Sequence, residues 1–122
     1  MQSVDVNELE NFKGKDMGHS DWMQIDQNRI NQFADATSDH QWIHINEEKA
    51  KAELPTKSTI AHGFLSLSLS VPLSAKIWTI TGAKMIINYG LNKVRFINMV
   101  PVNSKVRMAV KINEVNKLDN GG

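Results

Sequence analysis

The order of apolar periods along these 122 residues predicts an α+β protein with an antiparallel sheet. Three observations predict it. Apolar residues recur at helical spacing through the middle of the chain, but alternate near its end at Val106, Met108, Val110 and Ile112. The stretch from Ala61 onward is apolar on most faces, which requires protein around it. Helices and strands are segregated along the chain instead of alternating, which is the pattern of α+β proteins.

Residues 1–20 are polar, with Gly14 and Gly18 as breakers, and are expected to form an arm with a short helix and then a loop. Residues 21–25 (DWMQI) are a short strand candidate. Asp26 is a helix N-cap by type, since its carboxylate can accept from the free amides of a first turn. Ile25 and Ile30 stand at hydrophobic-staple spacing around it. Ile30, Phe33, Ala34 and Thr37 then form one stripe, and the helix is expected to stop near Thr37 or Ser38. Asn46 reads as a second N-cap, with Glu47 and Glu48 well placed against the helix dipole, and Pro55 closes that short helix. A third helix is expected from Ala61 or His62 through Trp78, kinked by Pro72. Residues 84–89 and 91–99 read as strands separated by Gly90, and 106–112 as a half-buried strand. The ending Asp119-Asn120-Gly121-Gly122 is a hairpin-turn sequence with no strand after it.

Composition narrows the classes of function. The length suits one domain. The absence of cysteine excludes disulfides, cysteine-zinc sites, iron–sulfur clusters and thiol catalysis. A net charge of +1 is unlike a strongly basic nucleic-acid binder. No apolar stretch approaches the roughly 18 residues of a membrane span, and no basic start precedes an apolar run. A cytoplasmic protein without membrane or nucleic-acid partners is expected. The balance hides an asymmetry: residues 1–54 hold 11 acidic and 5 basic side chains, residues 55–122 hold 2 and 9. That split suits either solvated strand faces or a basic face for an anionic ligand.

Two segments concentrate chemistry. Residues 36–45 (ATSDHQWIHI) set Asp39 and His44 five positions apart among apolar neighbours. A carboxylate and an imidazole can hold one water from two sides and move protons to and from a substrate. The same residues also fit a turn cap and a satisfied core histidine. His40 and His44 have the i, i+4 spacing of metal ligands, but the motif lacks the glutamate of H-E-x-x-H, so no metal is expected. In residues 59–64 (TIAHGF), a helix starting at His62 or Gly63 would leave its first amides free. Gly63 would then leave room for an oxyanion, or be small only for close packing. No glycine loop for a nucleotide is present, so no redox cofactor is expected.

The segments ADATSDHQWIHI (34–45) and STIAHGFL (58–65) resemble the MaoC-like (R)-specific enoyl-CoA hydratases, in the branch with nodulation protein N-like members. Asn88-Tyr89-Gly90 and Lys93-Val94-Arg95-Phe96 continue the resemblance. It implies a hot-dog fold, an antiparallel sheet wrapped around a long central helix, as one domain over residues 1–122 with 1–20 as an arm. It also implies a homodimer or higher oligomer with the active site near the subunit interface. Asp39 and His44 match the family's catalytic pair, and Gly63 the residue whose amide meets the thioester carbonyl. His62, Gln41 and Trp42 are expected beside the substrate. Lys93 and Arg95 are the first candidates for the carrier's phosphates. The implied reaction is hydration of trans-2-enoyl thioesters to (R)-3-hydroxyacyl thioesters, and the reverse dehydration, on acyl-CoA or acyl-carrier substrates. A hot-dog thioesterase or a non-catalytic acyl-thioester binding module are the alternatives. Gln41 and Trp42 stand where many members have Asn-Pro. Members normally continue for two further strands past the final turn, so the chain is expected to be C-terminally truncated with an incomplete sheet.

Overall fold

The computed structural model describes residues 1–122 and packs them as two compact units. The first comprises Met1–Asp21, Val71–Gly90 and Arg107–Gly122; the second comprises Trp22–Ser70 and Leu91–Val106. In chain order the elements are β1 (Gln2–Asp5), a 3-10 helix (Val6–Phe12), β2 (Asp16–His19), β3 (Met23–Gln24), α1 (Gln27–Thr37), α2 (Trp42–Ile45), α3 (Glu47–Glu53), α4 (Gly63–Ser68), α5 (Ser70–Ser74), β4 (Trp78–Thr81), β5 (Lys105–Val106) and β6 (Ala109–Lys111). No helix is long and apolar enough to cross a membrane.

In the first unit, β1 pairs in parallel with β4, Gln2 opposite Trp78 and Asp5 opposite Thr81. β2 pairs antiparallel with β6, with a register shift between Asp16 and Gly18. Val4, Met17, Ile77 and Ile112 form the buried cluster these pairs share, flanked by Leu9, Phe12 and Trp78. Val4 and Met17 are the inward side chains of β1 and β2, while Ile77 just precedes β4 and Ile112 just follows β6. The expected arm is therefore two strands and a 3-10 turn. Its polar sequence hides this because Val4 and Met17 are its only deeply buried apolar residues.

In the second unit, β3 pairs antiparallel with β5, and Ile60 bridges Pro101. Ile25, Ile30 and Ala34 are completely buried and Phe33 is partly buried, so the staple and most of the stripe form the contact face, but Thr37 is exposed with its hydroxyl donating to the Phe33 carbonyl. Ile30→Ala is expected to cost ~2–5 kcal/mol through the cavity it leaves. Urea unfolding of the variant against the parent measures it.

Four elements differ from expectation. The third helix is broken at Leu69 and ends at Ser74, and Trp78 lies in a strand. Pro72 has no amide for the Ser68 carbonyl, and its ring crowds that carbonyl, so the ladder fails one residue beyond Ser68. Residues 84–89 and 91–99 form no strands. Extended chain becomes a strand only when its amides and carbonyls pair, and here Ile86, Ile87, Leu91 and Ile97 stand exposed. The expected strand over 106–112 is split, because the Met108 amide is taken by Ser20 Oγ (3.0 Å) between β5 and β6.

Candidate active site

Asp26 caps α1 by accepting from the Arg29 amide at 2.9 Å, and Ser38 ends the helix in the left-handed region (φ 60°). That turn delivers Asp39, whose amide bonds back to the Ala34 carbonyl. The Asp39 carboxylate is half exposed and accepts only a long 3.4 Å bond from the Gln41 amide. Asp39 is thus a poor turn cap and retains free lone pairs.

His44 follows in the single turn α2 and is buried. Its Nδ1 lies 2.8 Å from the Ile60 carbonyl. A carbonyl only accepts, so in the neutral ring the proton sits on Nδ1 and Nε2 keeps its lone pair. Burial pulls the His44 pKa below 6.5; the Ile60 carbonyl opposes this, the neighbouring His62 ring adds to it, and the Asp39 charge opposes it. The result at neutral pH is an uncharged ring able to take a proton. The His44 backbone is held as well: Gln27 Nε2 donates to its carbonyl at 2.7 Å, and Gln27 Oε1 accepts from the buried Thr59 hydroxyl.

One carboxylate oxygen of Asp39 and one ring nitrogen each from His44 and His62 lie within 4.8 Å of one another. Spacing beyond direct hydrogen bonding but inside two such bonds suits a shared water. A metal is a poorer fit. The His44 and His62 rings are stacked, centroids 3.7 Å apart and 20° from parallel. Their in-plane lone pairs therefore run side by side and do not converge as tetrahedral ligands do. His40, the other half of the i, i+4 pair, bonds instead to Asp35 at 2.9 Å on the exposed side.

Gly63 opens α4. The Leu65 and Ser66 amides both bond to the His62 carbonyl, and the amides of Gly63 and Phe64 precede these first helical bonds. A Cβ on Gly63 would sit 2.7–2.9 Å from three ring carbons of Phe96. Close packing and a free amide therefore both hold at this position. A cavity of about 580 Å³ adjoins it, lined by Ile43, His44, Gly63, Ser66, Phe96 and Met99 among others, and mostly apolar.

Other predicted contacts are placed elsewhere. His62 is 2 % exposed, is not among the residues lining the cavity, and its Nε2–H donates to the Asp39 carbonyl at 3.0 Å. Trp42 does not line the cavity; the Lys49 ammonium covers its ring at 4.5 Å, because the first residue of α2 faces α3. Gln41 is exposed ahead of α2. Lys93 and Arg95 are exposed outside regular structure, Arg95 bonding to the Val94 carbonyl. Gln27, Thr59 and Phe96 escaped sequence reading. Gln27 donates to the His44 carbonyl and Thr59 to the Gln27 side chain, partners no spacing reveals, and Phe96 was marked only as part of a strand and of the resemblance.

The class of protein is the MaoC-like dehydratases, and sequence comparison defines it. The profile of the family described as "MaoC like domain" matches residues 8–121, and the chain belongs to that family. It is 49% identical over 116 residues to 3-hydroxyacyl-thioester dehydratase Z of Mycobacterium tuberculosis (strain ATCC 25618 / H37Rv), covering 95% of this chain and 76% of that protein. It is 43% identical over 111 residues to Nodulation protein N of Rhizobium leguminosarum bv. viciae, covering 88% and 67%. The structure resembles unliganded R-hydratase PhaJ1 from Pseudomonas aeruginosa with a TM-score of 0.65 at 22% identity, covering 88% of this chain and 63% of that one. The fold is accordingly the α+β hot-dog fold.

Proposed function

We propose that this chain hydrates trans-2-enoyl thioesters to (R)-3-hydroxyacyl thioesters and catalyses the reverse dehydration. The observation that carries the reading is the Asp39 carboxylate within 4.8 Å of a buried imidazole that lines an apolar cavity. The Gly63 amide polarises the thioester carbonyl. His44 Nε2 and Asp39 hold a water between them, one of its protons passes to the pair, and its oxygen bonds to C3. The enolate electrons then take a proton from the pair at C2, so one water is added and the pair is restored. The names of the two relatives, a 3-hydroxyacyl-thioester dehydratase and an R-hydratase, support the same chemistry.

The assay is incubation with crotonyl-CoA. Loss of the enoyl-thioester absorbance without release of thiol supports hydration; thiol release would make the chain a thioesterase, and neither change would leave a binding module.

To the same reading belong an acyl-CoA or acyl-carrier substrate, a cytoplasmic location and a homodimer or higher oligomer. Ile86, Ile87, Leu91 and Ile97 are 67–85 % exposed, which is apolar surface suited to a second copy. Lys93 and Arg95 are proposed to meet the carrier's phosphates. Their replacement by glutamate is expected to raise KM for crotonyl-CoA severalfold, and KM of the parent to rise with added salt. Kinetics across a salt series check both; a salt-independent KM would make these residues a solvated face.

A further inference from the structure

We infer that His62 is a positioning residue that fixes Asp39 and His44 relative to each other, by a hydrogen bond to the Asp39 backbone and a ring stack on His44. The inference rests on the catalytic reading of that pair and assigns His62 no contact with substrate.

The backbone of His62 is set by α4, whose Leu65 and Ser66 amides both bond to its carbonyl. From there its ring reaches back across the sequence. Nε2–H donates to the Asp39 carbonyl at 3.0 Å and lies 3.9 Å from Asp39 Oδ2. One face covers the His44 ring at 3.7 Å, and Phe33 of α1 packs against it at 4.9 Å, tilted by 56°. One side chain thus ties the residue before Gly63 to both members of the pair.

Packing alone does not account for an imidazole here. Nδ1 of His62 is buried and has no hydrogen-bond partner, a costly state for an acceptor. A phenyl ring would fill the space without that cost. The bond to the Asp39 carbonyl holds the loop that aims the carboxylate. The stack holds the His44 ring in plane and, with burial, opposes a proton on it. The titratable groups facing His62 are Asp39 and His44. α1 presents the uncharged Phe33, while its Asp35 is paired with His40 at the surface, 76 % and 49 % exposed.

His62→Gln keeps an N–H for the Asp39 carbonyl and removes the ring; His62→Phe keeps the ring and removes the donor. Each is expected to lower kcat on crotonyl-CoA by about 10- to 100-fold, the scale of a small misplacement of catalytic groups, with KM within about twofold. In His62→Gln the His44 protonation midpoint, followed by NMR of the ring in the absence of substrate, is expected to move to higher pH. The acid limb of kcat/KM should move with it. A raised KM at unchanged kcat would make His62 a substrate contact and overturn the inference. So would an unmoved His44 midpoint in folded His62→Gln. The wild-type protein gives a test that needs no variant: the His62 Nε2–H should be protected from exchange and close to Asp39, and a freely exchanging proton overturns the inference. Wild-type protein inactive on crotonyl-CoA, yet with the protected proton and the shifted midpoint, would sink the hydratase reading and leave the positioning of Asp39 and His44 standing.

Discussion

Asp39→Asn and His44→Ala are each expected to lower the hydration of crotonyl-CoA by about 100-fold or more, the range for losing a general acid or base. The two substitutions fail for different reasons. Asparagine at position 39 fills the same half-exposed space but accepts no proton. Alanine at 44 removes the ring nitrogen that keeps a free lone pair, and strips the Ile60 carbonyl of its 2.8 Å partner. Stability should therefore hardly change in Asp39→Asn and should fall in His44→Ala, since a buried acceptor is left unpaired. Initial rates normalised to the folded fraction separate the effects. Full turnover in folded Asp39→Asn would reduce Asp39 to a turn residue.

The second large effect is expected at Gly63, from a pair of substitutions. Alanine and proline there both place a Cβ against the Phe96 ring, at 2.7 Å before adjustment. Only proline also removes the amide proton. Gly63 is the first residue of α4, where proline is well tolerated, and the extended His62 (ψ 139°) suits a residue before proline. The helix should persist in both variants. Gly63→Pro is expected to fall about 100-fold or more below Gly63→Ala in kcat, the scale for one oxyanion donor. Equal rates in the two variants would mean that the glycine serves Phe96 and not the thioester.

How much of this was legible in the sequence depended on range. Local devices read well. Asp26 and Asn46 cap α1 and α3 by accepting from amides three residues on, and Ile25 and Ile30 are both fully buried. Each is decided within one or two turns, where residue type and spacing settle the geometry. The disturbance at Pro72 was legible for the same reason, but as a kink, whereas the helix breaks at Leu69 and ends at Ser74. Pairing across the chain was not. β1 lies beside β4 some 75 positions away, and the only deeply buried side chain of β1 is Val4. The apolar run over 84–99 has the composition of strands, but strands are made by partners and not by composition. In the site, residue types marked Asp39, His44 and Gly63, because a carboxylate, an imidazole and a glycine are unusual among apolar neighbours. The part of His62 was hidden, because its target is the backbone of residue 39. The Gln27–Thr59 brace was hidden likewise, joining α1 to a segment 32 residues on.

Hydration by this chain is tested most directly by the stereochemistry of the product formed from crotonyl-CoA by purified protein. The expected product is (R)-3-hydroxybutyryl-CoA, resolved by chiral chromatography after hydrolysis of the thioester, with the loss of product in Asp39→Asn matching its loss of rate. Free thiol and crotonate, the (S) alcohol, or a substrate left unchanged by folded protein would each contradict it.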